Sequence, residues 1–167
     1  MTSIRLHICD AQRFNDYTLR LARKTAKEGI VIYVSVNRPA STISELWRNA
    51  GIDQSRLFII DCSPSHNKDG IPNCVYLNSP QDLTDIGIAI SAAITRIPGH
   101  KTVIFDSISM LLVYNDAEIV GQFMNFIINK MRLQGVDIDV LSLKSDASRN
   151  VVATIAAIVD EVKEVGE

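Results

Sequence analysis

Cysteine is scarce in this sequence, with three residues among 167, at Cys9, Cys62 and Cys74. Their number is odd and none forms a C-x-x-C pair, which argues against the paired framework of a disulfide-rich secreted domain. Cys62, His66 and Cys74 also fit a structural zinc site poorly, because such sites use four ligands in tight pairs. We therefore expect no metal site and a reducing, cytoplasmic location.

Long apolar runs and an excess of one charge are also missing. No apolar stretch approaches the roughly 20 residues that span a bilayer. Arg5 and His7 interrupt the apolar N-terminus, which makes it a poor secretion signal. Seventeen Lys and Arg stand against nineteen Asp and Glu, for a net charge of −2. We therefore expect neither membrane insertion nor a nucleic-acid partner.

The sequence does contain an alternation of strand-like and helix-like patterns from end to end. The run from Ile30 to Ser35 is rich in β-branched residues, which is typical of a strand buried on both faces of a parallel sheet. The run from Phe14 to Thr25 places apolar side chains at helical spacing. The alternation predicts one α/β domain over residues 1–167, with three layers (αβα) and helices on both faces of a mostly parallel sheet.

Three local predictions depend on single residues. Gly29 is expected to end the first helix in a left-handed conformation. His7 is expected to point outward from the first strand. The last helix is expected to begin near Ser145 or Asp146 and to carry an apolar stripe that reaches Val162.

Three stretches resemble KaiC-like members of the RecA superfamily of ATPases. "GIVIYVSVNRPASTISELWRNAGID" (Gly29 to Asp53) is similar to their second strand and following helix. "KTVIFDSISMLLVYNDAEIVGQFMNFIINKMRLQGV" (Lys101 to Val136) resembles their Walker B strand, the Ser after it and the next helix. "LSLKSDASRNVVATIAAIVDEV" (Leu141 to Val162) resembles the terminal strand and helix of archaeal KaiC-like domains. The resemblance implies a RecA-like sheet.

The segment after the first strand departs from that family. Its members carry a phosphate-binding loop, G-x-x-x-x-G-K-[ST], whose backbone amides and lysine hold the nucleotide phosphates. Residues Cys9 to Thr18 contain neither glycine nor lysine, so the Walker A motif is degenerate. Asp10 and Asp16 would place negative charge beside a triphosphate. We expect Asn15 or Asp16 to cap the following helix instead.

The end of the second strand departs as well. The resemblance implies an acidic residue there to activate water, whereas this chain has Asn37 and Arg38, and asparagine accepts no proton at neutral pH. Asp106 matches the Walker B aspartate, and its carboxylate either contacts a ligand at the strand end or accepts local hydrogen bonds. Lys144 would project to the same rim, where it could neutralise Asp106 or Asp10. The predicted strand-end site comprises Asp10, Arg13, Asn37, Arg38, Asp106, Ser107 and Lys144.

The helix that runs from Ile119 to Met131 is apolar on most of its circumference, which indicates burial on two sides. One side could be a subunit interface, for which the candidates are Phe123, Met124, Phe126 and Ile127.

Taken with the resemblance, these departures predict a pseudo-ATPase, with no catalytic residue and with neither ATP nor Mg²⁺ bound in the usual way. It would act as a regulatory or assembly protein, with itself as a homo-oligomer or with a KaiC-like ATPase as partner. The alternative is a nucleotide or anion sensor that uses Arg13 and Arg38 as clamps. An unrelated enzyme on the same scaffold is a third possibility.

Overall fold

A computed structural model describes residues 2–64 and 70–165. Seven strands are present in these ranges: Ile4–Cys9 (β1), Ile30–Ser35 (β2), Leu57–Asp61 (β3), Cys74–Tyr76 (β4), Lys101–Asp106 (β5), Asp137–Leu143 (β6) and Glu161–Val165 (β7). Six α-helices are present: Phe14–Glu28 (α1), Ala40–Asn49 (α2), Leu83–Arg96 (α3), Ile108–Tyr114 (α4), Ala117–Gln134 (α5) and Arg149–Ala156 (α6). No helix in the described ranges has both the length and the apolar character needed to cross a membrane.

All seven strands belong to one parallel sheet in the order β4-β3-β2-β5-β6-β1-β7. The strand order makes β1 pair with β6 and β7, while β2 pairs with β3 and β5. Because the strands are parallel, the loops after β1, β2, β5 and β6 all open at the same edge of the sheet. The predicted three-layer α/β architecture is confirmed.

Alternate residues of each strand face opposite helix layers. On β2, Val31 and Tyr33 pack with α1 and α2, whereas Ile32 and Val34 pack with the core beneath α3, α4, α5 and α6. Both sets are almost fully excluded from solvent. This two-sided burial explains why the strand reads as an unbroken β-branched run.

Gly29 ends α1, but not in the left-handed conformation that the sequence predicts. Its φ is 171°, which is extended backbone. A Cβ at this position would lie 2.3 Å from the backbone oxygen of His100. Glycine is therefore required by the close approach of the turn before β5.

The C-terminal segment corrects the predicted last helix. Helix α6 ends at Ala156, and Val162 lies on β7, which pairs in parallel with β1. The stretch from Glu161 to Val165 alternates valine with charged residues, a period that suits an edge strand better than a helix. Its partner strand β1 would otherwise expose an unpaired edge.

Candidate functional site

Asp106 lies at the end of β5 and is buried at the strand-end edge of the sheet, with 6% of its surface exposed. Its Oδ2 accepts a hydrogen bond of 2.5 Å from Tyr33 Oη and one of 2.8 Å from Arg38 Nη2. Arg38 Nη2 also contacts Tyr33 Oη at 3.1 Å. Tyr33, Arg38 and Asp106 thus form a closed set of contacts, here called the Arg38 cluster. In it, the carboxylate is neutralised by a cation from this chain.

Burial and charge fix the protonation states in this cluster. Burial, with the Asp106 carboxylate beside it, raises the pKa of Tyr33 well above its ordinary value, so the phenol remains a donor. Burial by itself lowers the pKa of Arg38, but the adjacent oxygens of Tyr33 and Asp106 outweigh it, and the net pKa is raised. Tyr33 therefore stays neutral and Arg38 stays charged throughout the physiological pH range.

The turn after β2 is built to place Arg38. Ser35 Oγ donates to the backbone oxygen of Arg38 at 2.6 Å, and Val36 N donates to the backbone oxygen of Asp106 at 2.9 Å. These bonds hold the turn against the end of β5. Asn37 points elsewhere, since its Oδ1 accepts from Tyr114 Oη at 3.0 Å.

Ser107 has a local structural role. The peptide bond that joins it to Asp106 is cis, and its Oγ accepts a bond of 3.3 Å from Met110 N at the start of α4. It caps this helix, which the sequence did not predict as a separate element. Ser107 is 1% exposed. Among the described residues, its side chain forms no hydrogen bond with the Arg38 cluster.

The turn that replaces the phosphate loop is closed by Asp10. Both the backbone oxygen and Oδ1 of Asp10 accept from Arg13 N, at 3.3 and 3.0 Å. The predicted cap is wrong, because α1 begins at Phe14 after an uncapped Arg13, and Asp16 pairs with Arg20 at 3.2 Å instead.

A cavity of about 840 Å³ lies beside this turn, between the ends of β1, β6 and β7. Three cations and three carboxylates line it, so its charge is balanced. They are Arg13, Arg20, Lys144, Asp10, Asp16 and Glu164. Asp10, Arg13 and Lys144 therefore line the same cavity, whereas Asp106, whose rim Lys144 is predicted to share, does not line it.

Arg38 and Arg13 do not share a cavity. Arg38 and Tyr33 line a separate space of about 190 Å³ between α1 and α2, floored by Ile43 and Trp47. The predicted strand-end residues thus fall into three groups. Asp10, Arg13 and Lys144 line the charge-balanced cavity, and Arg38 and Asp106 belong to the Arg38 cluster. The side chains of Asn37 and Ser107 make local hydrogen bonds. The structure therefore gives Arg13 and Arg38 no common cavity in which to act as one clamp.

The residues present do not fit a magnesium nucleotide held in the manner of the RecA superfamily. The turn after β1 bonds its own Arg13 amide to Asp10, and it offers no glycine or lysine. The carboxylate of Asp106, which would hold the metal, is bonded to Arg38.

A second buried polar cluster was not predicted. Asp139 on β6 is fully buried and accepts from Arg5 Nε at 2.6 Å and Nη2 at 2.9 Å. His7 Nε2 lies 2.7 Å from the same carboxylate, and His7 Nδ1 lies 2.5 Å from Tyr17 Oη. His7 is 1% exposed, so the predicted outward orientation is wrong. The reason is that α1 covers this face of β1 and Asp139 supplies a partner there.

Opposing effects act on Asp139. Burial by itself raises its pKa. Hydrogen bonds and charge from Arg5 and His7 lower the pKa by more than burial raises it, so the net pKa is below the ordinary value. A sequence signal existed, because Asp139 lies between Ile138 and Val140 in the interior of a strand, at a position paired with Arg5. Its partner, however, is 134 residues away in the chain.

The predicted interface residues do not share one environment. Met124 and Ile127 are fully buried in this chain's own core, and Phe123 is 9% exposed. These three are corrected to core residues, since α5 packs on the sheet through them. Phe126 alone, at 56% exposed, is available to a partner.

The structure describes two of the three candidate zinc ligands, Cys62 and Cys74. Within residues 2–64 and 70–165 there is no cluster of three or more metal-ligating side chains. Cys62 is buried, and burial raises its pKa, while burial raises the pKa of Cys74 to about 11. His66 lies outside the described residues.

Comparison with known proteins identifies a family and a fold. A model of a family of unknown function (DUF7504) matches residues 9–165. No curated protein sequence matches. The uncharacterised protein PH0321 from Pyrococcus horikoshii, crystallised with an unknown peptide, superposes with a TM-score of 0.67 at 17% identity, over 98% of this chain and 76% of that one. The KaiC-like protein PH0186 from P. horikoshii OT3 gives 0.69 at 13% identity, over 98% and 71%. The chain therefore shares the fold of a KaiC-like protein.

Proposed function

The chain belongs to the DUF7504 family of unknown function, and we propose that it is a non-hydrolysing domain of KaiC-like fold that acts through protein contacts. One observation carries the proposal. Arg38 Nη2 lies 2.8 Å from Asp106 Oδ2, so the carboxylate at the metal-binding position of this fold already has a cation. A buried carboxylate with an internal cation has no need of Mg²⁺ for charge compensation.

The surrounding residues support the same conclusion. The turn after β1 is closed on Asp10, and Asn37 at the end of β2 cannot act as a general base. Three essential parts of phosphoryl transfer are thus replaced: the phosphate cradle, the metal ligand and the residue that activates water. Such a scaffold can still act in assembly or regulation. We propose that it does so in the cytoplasm, and that its partner is a second copy of this chain or a KaiC-like ATPase.

A contact with polypeptide has independent support from a structural relative. PH0321, which shares the fold, was crystallised in complex with an unknown peptide. We extend to this chain only the idea that the scaffold can engage another polypeptide.

Phosphate release from ATP tests the proposal directly. We expect no Mg²⁺-dependent release above the buffer rate from the purified chain. Asp106→Asn is the matched control, because it removes the only carboxylate of the Arg38 cluster. Turnover that Asp106→Asn abolishes would overturn the proposal, whereas turnover that the variant retains would identify a contaminating ATPase.

The second candidate, an anion sensor, is favoured by the charged cavity beside β1. Arg13, Arg20 and Lys144 line it, although three carboxylates oppose them. Titration with inorganic phosphate separates the two candidates. Saturable binding that Lys144→Ala weakens would favour the sensor, and no binding at millimolar phosphate would leave the protein-contact function.

A further inference from the structure

Helices α3 and α5 form an apolar groove of about 920 Å³ on the face of the sheet opposite α1 and α2. Three large apolar side chains along it are exposed to solvent: Ile88 by 61%, Ile119 by 47% and Phe126 by 56%. Contiguous apolar surface of this kind marks a contact with another molecule. The question is which molecule fits it.

Helix α5 has a self-complementary apolar stripe. Ile119, Phe126 and Leu133 are spaced by seven residues, so two helical turns separate each from the next and all three lie on one side. Leu133 is 87% exposed. Phe126 is the midpoint of the stripe. When two copies of α5 meet antiparallel, Phe126 therefore meets its equivalent, and Ile119 meets Leu133 of the second copy.

Helix α3 has the same property in its charges. Asp85, Ile88, Ala92 and Arg96 follow one side of the helix at offsets of three, seven and eleven residues. An antiparallel second copy places its Arg96 opposite Asp85 and its small Ala92 opposite Ile88. Neither Asp85 nor Arg96 has an ion-pair partner among the described residues. Both charges are thus available to a second chain.

The charges of the groove itself agree with this orientation. Arg96 and Lys130 are the charged residues that line it, and both lie toward the C-terminal ends of their helices. Asp85 lies at the opposite end, in the first turn of α3. Reversal of one copy relative to the other therefore brings acidic and basic ends together, which a parallel arrangement would not do.

We infer that two copies of this chain associate face to face through α3 and α5, antiparallel about a two-fold axis near Phe126. This inference rests on the proposed function, in which the domain acts through protein contacts. The 14 residues of α3 give a contact about 21 Å long. Two helices per copy would bury on the order of 1,000 Å² in total, the lower end for a specific interface.

Sedimentation velocity of the whole chain from about 1 to 500 μM tests the inference. We expect a monomer–dimer equilibrium, and we expect Phe126→Glu to raise the dimer dissociation constant at least tenfold. Leu133→Glu is a second variant. Because the Leu133 side chain is 87% exposed, the substitution should not affect folding of the chain. Val113→Glu, at a 66% exposed valine on α4 outside the groove, is the matched control and should leave dimerisation unchanged.

A charge exchange tests the antiparallel orientation. Asp85→Arg and Arg96→Asp should each weaken the dimer, and the double variant should restore it, because each pair is then reversed. A chain that stays monomeric at 500 μM would overturn the inference, as would a dimer indifferent to both Phe126→Glu and Leu133→Glu. Failure of the double variant to recover would overturn the orientation. ATP turnover, by contrast, would refute the proposed function and leave the dimer intact.

Discussion

Arg38 Nη2 and Asp106 Oδ2 lie 2.8 Å apart across the ends of β2 and β5, and Tyr33 Oη contacts both groups. Asp106 is 6% exposed and Arg38 is 25% exposed, so the pair is largely shielded from water. An acid at the carboxyl end of a parallel strand ordinarily faces ligand. Here it faces an arginine of its own chain, and this relationship underlies the account of function.

Loss of the cation is expected to destabilise the fold. Arg38→Met leaves Asp106 buried without its charge partner, which should lower the free energy of unfolding by about 2–4 kcal/mol. The double variant Arg38→Met/Asp106→Asn should lose less than the single variant, because no unpaired charge remains. Urea denaturation measures both values. A single variant as stable as the parent would show that the pair carries no structural weight.

Two glycines give opposite predictions for the same change. Gly29→Ala should destabilise the fold, because the new Cβ would lie 2.3 Å from the backbone oxygen of His100. Gly121→Ala, within α5, meets no atom within 4 Å and should stabilise the helix by about 0.5–1 kcal/mol. Thermal melting of both variants checks this contrast. Equal effects would contradict the close approach at Gly29.

Acid should remove the contribution of Asp139 to stability. Its folded pKa is below the ordinary 3.8, so its stabilisation is fully present above that pH and is lost as the pH falls through the folded pKa. At pH 7, Asp139→Asn should cost about 3 kcal/mol, since Arg5 and His7 lose their shared partner.

The difference from the parent should shrink below about pH 4. Glu45→Gln, at an exposed carboxylate on α2 outside the α3–α5 groove, is the control and should change stability little at any pH. Urea denaturation across this pH range provides the measurement. A difference that grows on acidification would contradict the direction of the shift.

Restoring the phosphate loop should require two repairs. Ala11→Gly, Asp16→Gly and Tyr17→Lys complete a G-x-x-x-x-G-K-T sequence with the native Thr18. We expect this triple variant to bind Mg²⁺-ATP at least tenfold more tightly when Arg38→Ala also frees Asp106. Calorimetric titration compares the two proteins. Equal affinity would show that Arg38 does not block the metal position.

The parallel sheet was predictable because buried strands leave a local record. The run Ile30–Ser35 is apolar on both faces, and the sequence alone identifies it as a central strand. The stretch Glu161–Val165 was misassigned to a helix because its pairing with β1 depends on an edge that no local pattern reveals. Helix α4 was missed because its seven residues are too few for a clear period.

The sequence predicted where the candidate residues lie on the sheet, but not which of them form hydrogen bonds with each other. Strand ends positioned Arg38 and Asp106 at one edge, yet their bond joins residues 68 apart, and nothing local indicates it. The predicted outward orientation of His7 was wrong for the same reason, because its partner Asp139 is 132 residues away in the sequence. Polar residues on a strand are normally taken as solvent-facing, and only the covering helix α1 shows otherwise.

Calorimetric titration of the purified chain with ATP and ADP, with and without Mg²⁺, shows whether the nucleotide site is lost. We expect no heat of binding at millimolar nucleotide, because Asp106 is held by Arg38 and the turn after β1 is closed on Asp10. Micromolar, Mg²⁺-dependent binding would be worth about 8 kcal/mol. That result would contradict the account and would show that the chain retains a nucleotide site.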